Sequence, residues 1–368
     1  MTAIRYRDLG AHRRLSSIVF AGSHDASITR GSKNAQTQTL DIAGQANAGV
    51  RLFDLRILAM GNKTDGMSLV GYHGKGSKAK STSMVSSHTG KSHDLKYSKK
   101  MTMGTTGEKL SDMLAQAKAF VEATNEFLIF KFDKCKNWEL IAEYCVSILG
   151  DALYKPSYGQ ELGERSLDEL GGKVICVFSH TGLLEIRGYG DRDGILGFRN
   201  LKGDDGPLPY KARYTGLQYY GKGGTNPFHV WRTSKGKLKD NEKKQAKMMA
   251  KMAVSPHENS ESVLGMMYWT TTGLTQSIET RNDGMWKNSG VNRLAELWSN
   301  GLEKSIAHQL TASEITYVQD PRLGERMRAF FPNIIMVDFA DTDKCGTIYA
   351  LNKIAEQRLT EAFRQYVA

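Results

Sequence analysis

Eight short apolar runs, most of them rich in β-branched or aromatic residues, constrain this chain more than any other feature. They read "SSIVFAG" (16–22), "GVRLFDLRI" (49–57), "SLVGYH" (68–73), "EFLIFKF" (126–132), "KVICVF" (173–178), "ARYTGLQYY" (212–220), "GMMYWTT" (265–271) and "NIIMVDF" (333–339). Runs this apolar and this short fit strands buried on both faces. Between several of them the pattern changes to helical spacing. "TTGEKLSDMLAQAKAFVEA" opens with Thr105 and Glu108 at capping-box spacing, and "NWELIAEYCVSIL", "NRLAELWSNGLEKSIAHQL" and "ALNKIAEQRLTEAFRQYV" place apolar residues at three- and four-residue intervals. Buried strands alternating with helices predict a parallel sheet, and eight of them ending in a helix predict its closure. The expected fold class is α/β, a distorted (β/α)8 TIM barrel with loop insertions.

A length of 368 residues suits one such barrel, and residues 1–368 are expected to form a single catalytic domain. The lysine-rich 74–107 and the glycine-rich 182–209 and 221–241 read as loop insertions. No internal repeat is evident. The four cysteines, Cys135, Cys145, Cys176 and Cys345, lack zinc-ligand spacing and predict free thiols. The N-terminal residues carry no apolar stretch of the Sec type, and no run of 18 apolar residues occurs. The expectation is a cytoplasmic protein, or one exported without a Sec signal.

The net charge of +11 is concentrated. Between 74 and 100 seven lysines face one acidic residue, Asp94; between 232 and 251 Arg232 and seven lysines face Asp240 and Glu242. These segments, parts of basic insertions at 74–107 and 221–251, account for the whole positive balance. They predict attraction to an anionic partner, weakened by salt.

In a barrel of this kind, chemistry gathers at the C-terminal ends of strands. His24 and Asp25 follow the first run, Asp54 and Arg56 end the second, and His73 ends the third. Lys131 and Asp133 end the fourth, His180 follows the fifth, and Asp338 ends the eighth. A second Ser-His-Asp, residues 92–94, follows no apolar run and reads as a surface loop. Two histidines, one arginine and several carboxylates at one mouth suit phosphoryl transfer. One imidazole takes a proton from the attacking oxygen, the other protonates the leaving oxygen, and the guanidinium holds the non-bridging oxygens.

The set "AGSHDAS", "AGVRLFDLRI", "YHG", the helix "KLSDMLAQAKAFVEA", the strand "EFLIFKFD" and "IIMVDF" resembles the catalytic X-domain of phosphatidylinositol-specific phospholipase C, in its bacterial, metal-independent branch. That resemblance implies His24 as general base toward the inositol 2-hydroxyl and His73 as general acid for the diacylglycerol. It implies Asp338 as the residue orienting the base, with Asp25 supporting His73 and Arg56. Arg56 stands where the calcium-dependent branch has a metal ligand, so neither metal nor other cofactor is expected. Lys131, Asp133 and His180, from their strand-end positions, and Tyr220 (or its neighbour Tyr219), where relatives stack an aromatic ring on the inositol, are the expected substrate-binding residues; Ser179 and His180 depart from the bacterial pattern, which has an arginine there. The expected partners are an inositol phospholipid and an anionic membrane surface met peripherally through the lysine-rich loops, with no nucleic acid. Two alternatives remain open: a module binding anionic lipid or nucleic acid with little catalysis, and a metal-dependent glycerophosphodiesterase-like enzyme using Asp25, Asp54 and Asp133.

Overall fold

The computed structural model describes residues 3–62, 66–157, 161–201, 215–222, 234–253, 263–271, 277–312 and 332–367. Among these, eight strands form a closed barrel: β1 (Phe20–Ser23), β2 (Val50–Leu55), β8 (Leu128–Phe132), β9 (Val174–Phe178), β10 (Ile195–Asn200), β11 (Leu217–Lys222), β12 (Leu264–Tyr268) and β13 (Pro332–Val337). All eight neighbouring pairs are parallel. Helices surround the barrel: α1 (Ile42–Ala48), α2 (Leu110–Thr124), α3 (Trp138–Leu149), α4 (Leu167–Leu170), α5 (His180–Glu185), α6 (Ser234–Ala253), α7 (Ile278–Trp286), α8 (Asn288–Ala312) and α9 (Thr342–Val367). The fold is the expected (β/α)8 barrel.

Alternation along the strands explains the two-sided burial. Leu52, Ile129, Ile175, Leu196, Leu217, Leu264 and Ile334 fill the barrel interior, while Phe53, Phe130, Cys176, Met267 and Ile335 pack under the helices. The N-terminal segment closes the barrel's lower end, with Tyr6, Leu15 and Ile18 joining the interior cluster. All four cysteines are unpaired and buried. Among the described residues, no helix is long and apolar enough to cross a membrane.

The count of eight strands is right, but its membership is not. The run at 68–73 is no barrel strand. It belongs to β4 (Gly66–Gly76) in a separate five-stranded sheet of order β5-β6-β3-β4-β7, with β3 (Ile57–Asn62), β5 (Lys80–Val85), β6 (Ser92–Ser98) and β7 (Met101–Lys109). The fifth barrel strand is β10, inside a stretch read as a glycine-rich loop. Its apolar core is only "ILGF", interrupted by Gly197, which gave no recognisable run. The lysine-rich 74–107 is likewise largely sheet and not loop: β5, β6 and β7 pair into a mixed layer and carry mostly polar, solvent-facing side chains. The capping box is also corrected. Thr105 pairs with His73 across β4 and β7, α2 begins at Leu110 without a side-chain cap, and Glu108 accepts instead from Gln116 Nε2 at 3.2 Å. Part of the second basic segment forms α6; 223–233 lies outside the described residues, as do 202–209 and 212–214.

Candidate active site

The C-terminal end of the barrel gathers residues from β1, β2, β13 and the five-stranded sheet around one carboxylate. Asp25, just past β1, is 2 % exposed and has φ +43°, a left-handed conformation that Asp tolerates better than most side chains. Thr37 Oγ1 and the Ile28 amide donate to its carbonyl at 2.8 and 3.0 Å and hold the turn. Its Oδ1 lies 3.0 Å from Arg56 Nε, and its Oδ2 lies 3.6 Å from His24 Nε2 and 3.7 Å from His73 Nε2. None of these contacts is an aligned hydrogen bond, so among the described residues both carboxylate oxygens and Arg56 Nε lack a hydrogen-bond partner. His73 reaches this point from β4, where Gly104 of β7 runs so close that a Cβ there would sit 1.8 Å from the His73 carbonyl oxygen.

His24 is held from behind. Its Nδ1 is 3.0 Å from Asp338 Oδ1, and the other oxygen, Oδ2, accepts from Asn282 Nδ2 at 3.0 Å. Gln38 straps the two strand ends, donating to the His24 and Val337 carbonyls and accepting from the Ala340 amide. Burial disfavours a charged His24, but the carboxylates of Asp25, Asp338 and Asp54 outweigh it and carry its pKa up to about 9. His73 moves the other way: burial lowers it, Asp25 offsets part of that, and the Arg56 and His24 charges add to the lowering. Burial raises Asp338, while His24 and the Asn282 amide draw it back.

Below the histidines, Lys131 Nζ is 2.8 Å from Asp54 Oδ1, both residues being buried. Burial opposes each charge, yet Asp54 lies below the usual carboxylate range because Lys131 faces it. Phe198 stands 4.6 Å from Lys131 Nζ, and Tyr219 and Tyr268 complete an aromatic arc, with Tyr268 edge-on to His24 at 6.0 Å between ring centroids. Tyr219 belongs to the interior cluster, whereas Tyr220 packs in the outer cluster beneath the helices, so strand alternation puts Tyr219 on the mouth side. Asp133 is half-buried at the end of β8. His180 is exposed as the first residue of α5, which Ser179 caps. His24, Asp25 and Asp54 together bring three ligand atoms within 4.8 Å of one another, a grouping able to hold a metal ion. Two fixed cations, Arg56 and Lys131, already stand against two of those three residues.

The Ser-His-Asp at 92–94 lies in β6, not in a loop. His93 Nε2 is 2.7 Å from Oε2 of the buried Glu143 on α3, and the His88 ring packs on Tyr144, which ties this sheet to the barrel wall away from Asp25. Asn282, Gln38, Phe198 and Tyr268 are the site residues that sequence reasoning missed. Asn282 and Gln38 have no local signature, since each works by reaching another element. Phe198 was hidden with its strand.

No protein-family model matches the chain, and no curated protein sequence matches it. Among solved structures it is similar to a variant of phosphatidylinositol-specific phospholipase C from Staphylococcus aureus, at 16% identity, 93% of this chain and 95% of that chain, with a TM-score of 0.46. A second structure of that enzyme, concerned with modulation of its membrane binding, gives 18%, 93%, 94% and 0.47. S. officinalis PLC21 gives 12% identity over 70% of this chain and 30% of that chain, with a TM-score of 0.39.

Proposed function

We propose that this protein is a phosphodiesterase that cleaves an inositol phospholipid into diacylglycerol and inositol 1,2-cyclic phosphate. The observation that carries this reading is the pair of imidazoles flanking Asp25, with Arg56 on the same carboxylate and Asp338 behind His24. His24 Nε2 takes the proton of the inositol 2-hydroxyl, and the resulting alkoxide attacks phosphorus. The bond from phosphorus to the glycerol oxygen breaks, and His73 supplies the proton that oxygen needs. Arg56 is placed to pair with the non-bridging oxygens as charge builds. The nucleophile belongs to the substrate, so no covalent enzyme intermediate forms.

The two pKa shifts set the pH behaviour. At neutral pH the pair holds one proton, and it rests on His24, whereas reaction needs it on His73. The reactive arrangement is therefore the minor one of the singly protonated pair. The expected kcat/KM profile is a plateau between an acid limb below 6.5 and an alkaline limb near 9.

Surface features support membrane docking through the same end. All seven lysines of 74–100 are exposed, as are Lys239, Lys243 and Lys247 along α6. Asn241 of α6 donates to the Tyr268 and Thr270 carbonyls, which ties that helix to the mouth end. The exposed apolar residues Val85, Met103 and Leu184 also come from segments that follow barrel strands at this end. Basic residues near an anionic bilayer contribute around 1 kcal/mol each.

The grouping of His24, Asp25 and Asp54 favours one second reading, a metal-dependent phosphodiesterase. Phosphorus NMR of products from phosphatidylinositol, with and without EDTA, separates the two. The cyclic phosphate should form equally in both conditions and disappear with His24→Ala. Loss of activity in EDTA, restored by calcium or magnesium, overturns the role given to Arg56.

A further inference from the structure

We infer that Asn282 is a positioning residue whose amide keeps Asp338 ionised and aligned against His24, so that the imidazole presents Nε2 to the substrate. The inference rests on reading His24 as the base. Asn282 sits on α7, outside the barrel wall, and is 1 % exposed. Its Nδ2 donates to Asp338 Oδ2 at 3.0 Å and to the Ile278 carbonyl at 2.9 Å. Those acceptors fix the orientation of the amide, because a flipped Asn282 would set its own oxygen against a carboxylate and a carbonyl. The helix is itself anchored at the mouth. Ser277 caps it, the Ile278 amide donates to the Lys33 carbonyl at 3.0 Å in the loop after β1, and Trp269 Nε1 donates to the Met285 carbonyl at 3.3 Å.

Asp338 is fully buried, and a buried carboxylate persists as an anion only while donors hold it. Among the described residues there are two, one on each oxygen: His24 Nδ1 and Asn282 Nδ2. Removing the amide leaves one oxygen bare, so Asp338 takes up a proton at higher pH and stops fixing the tautomer of His24.

Two variants and two readouts test this. Asn282→Leu should lower kcat on the order of 10²-fold with KM within about twofold, and should move the acid limb of the profile to higher pH. Asn282→Asp can donate to Asp338 only while the pair shares a proton. It should keep the acid limb and lose activity at higher pH, where wild type is on its plateau. A purely structural role would depress both variants equally at every pH, and that outcome overturns the inference. The second readout, two-bond nitrogen-proton NMR of the histidine rings, needs no substrate. The His24 Nδ1 proton should be held in wild type and lost from slow exchange on acidification earlier in Asn282→Leu. An unchanged His24 spectrum in the variant refutes the inference whatever the substrate; a changed spectrum with no lipid cleavage by wild type sustains it and refutes the proposed function instead.

Discussion

An arginine stands near the start of strand β2 and another just past its end, and the two are used in opposite ways. At the lower end Arg51 is fully buried with Glu126: Nε donates to Glu126 Oε2 at 3.0 Å, Nη1 to the Ala46 and Val50 carbonyls, and Nη2 to the Ile4 carbonyl. Glu126 also accepts from the Tyr6 and Arg7 amides, and the guanidinium lies 5.1 Å from the Tyr6 ring. Five residues on, Arg56 faces Asp25 at the same 3.0 Å, yet neither Nε nor the carboxylate makes an aligned hydrogen bond, and the arginine side chain is 22% exposed. One pair spends its hydrogen-bonding capacity on the chain itself and locks the N-terminal plug. The other keeps its capacity free at an open mouth, where a phosphodiester can take it up. Distance alone does not distinguish a structural ion pair from a functional one; the state of the remaining donors does.

Substitution should separate these arginines most. Arg56→Ala is expected to cost about 10³-fold in turnover and to lower stability less than Arg51→Ala, because a protonated His24, 3.6 Å away, still faces the buried Asp25. Arg51→Ala is expected to cost about 3–5 kcal/mol of stability, because it strands Glu126 as a buried charge. Urea unfolding and lipid turnover on both variants check this, and a strongly destabilised Arg56→Ala would erase the contrast.

A smaller effect concerns pH. His24 has a folded-state pKa raised from 6.5 to about 9, so its contribution to stability is complete below 6.5 and lost as pH rises through 9. The shift corresponds to about 3 kcal/mol at most. Wild type should therefore lose more stability than His24→Gln between about pH 6 and pH 10; parallel losses would show that the carboxylates around His24 do not hold its proton.

The smallest effect sharpens the contrast between the barrel's ends. Neutralising Lys243 or Lys247 to Gln should weaken partition onto phosphatidylserine vesicles about fivefold each at low salt. Lys173→Gln, at the start of β9, should leave it unchanged. Equal losses from both ends would mean that the charge acts as a diffuse field with no docking face.

Much of the site was legible because each residue follows its own apolar run. His24, Asp25, Arg56 and Asp338 could be placed at strand ends without knowing what lay opposite them. His73 does stand at the mouth, 3.7 Å from Asp25, but not for the reason expected, since β4 ends there as part of a separate sheet and not as a barrel strand. Tyr219 and Tyr220 show the limit of that method: adjacent residues on one strand face opposite layers, and a register error of one exchanges them.

The sequence by itself determined that the strands are buried on both faces and alternate with helices, because burial of apolar side chains is written residue by residue. It also determined which charged groups stand at the strand ends. Only the tertiary structure decided which strands close the barrel, that the lysine-rich segment joins the sheet that carries His73, and that Asn282 reaches Asp338 while Gln38 reaches the backbone at the ends of β1 and β13. Those choices depend on contacts between distant segments, where one hydrogen bond to a buried carboxylate decides the charge state and no local pattern records it.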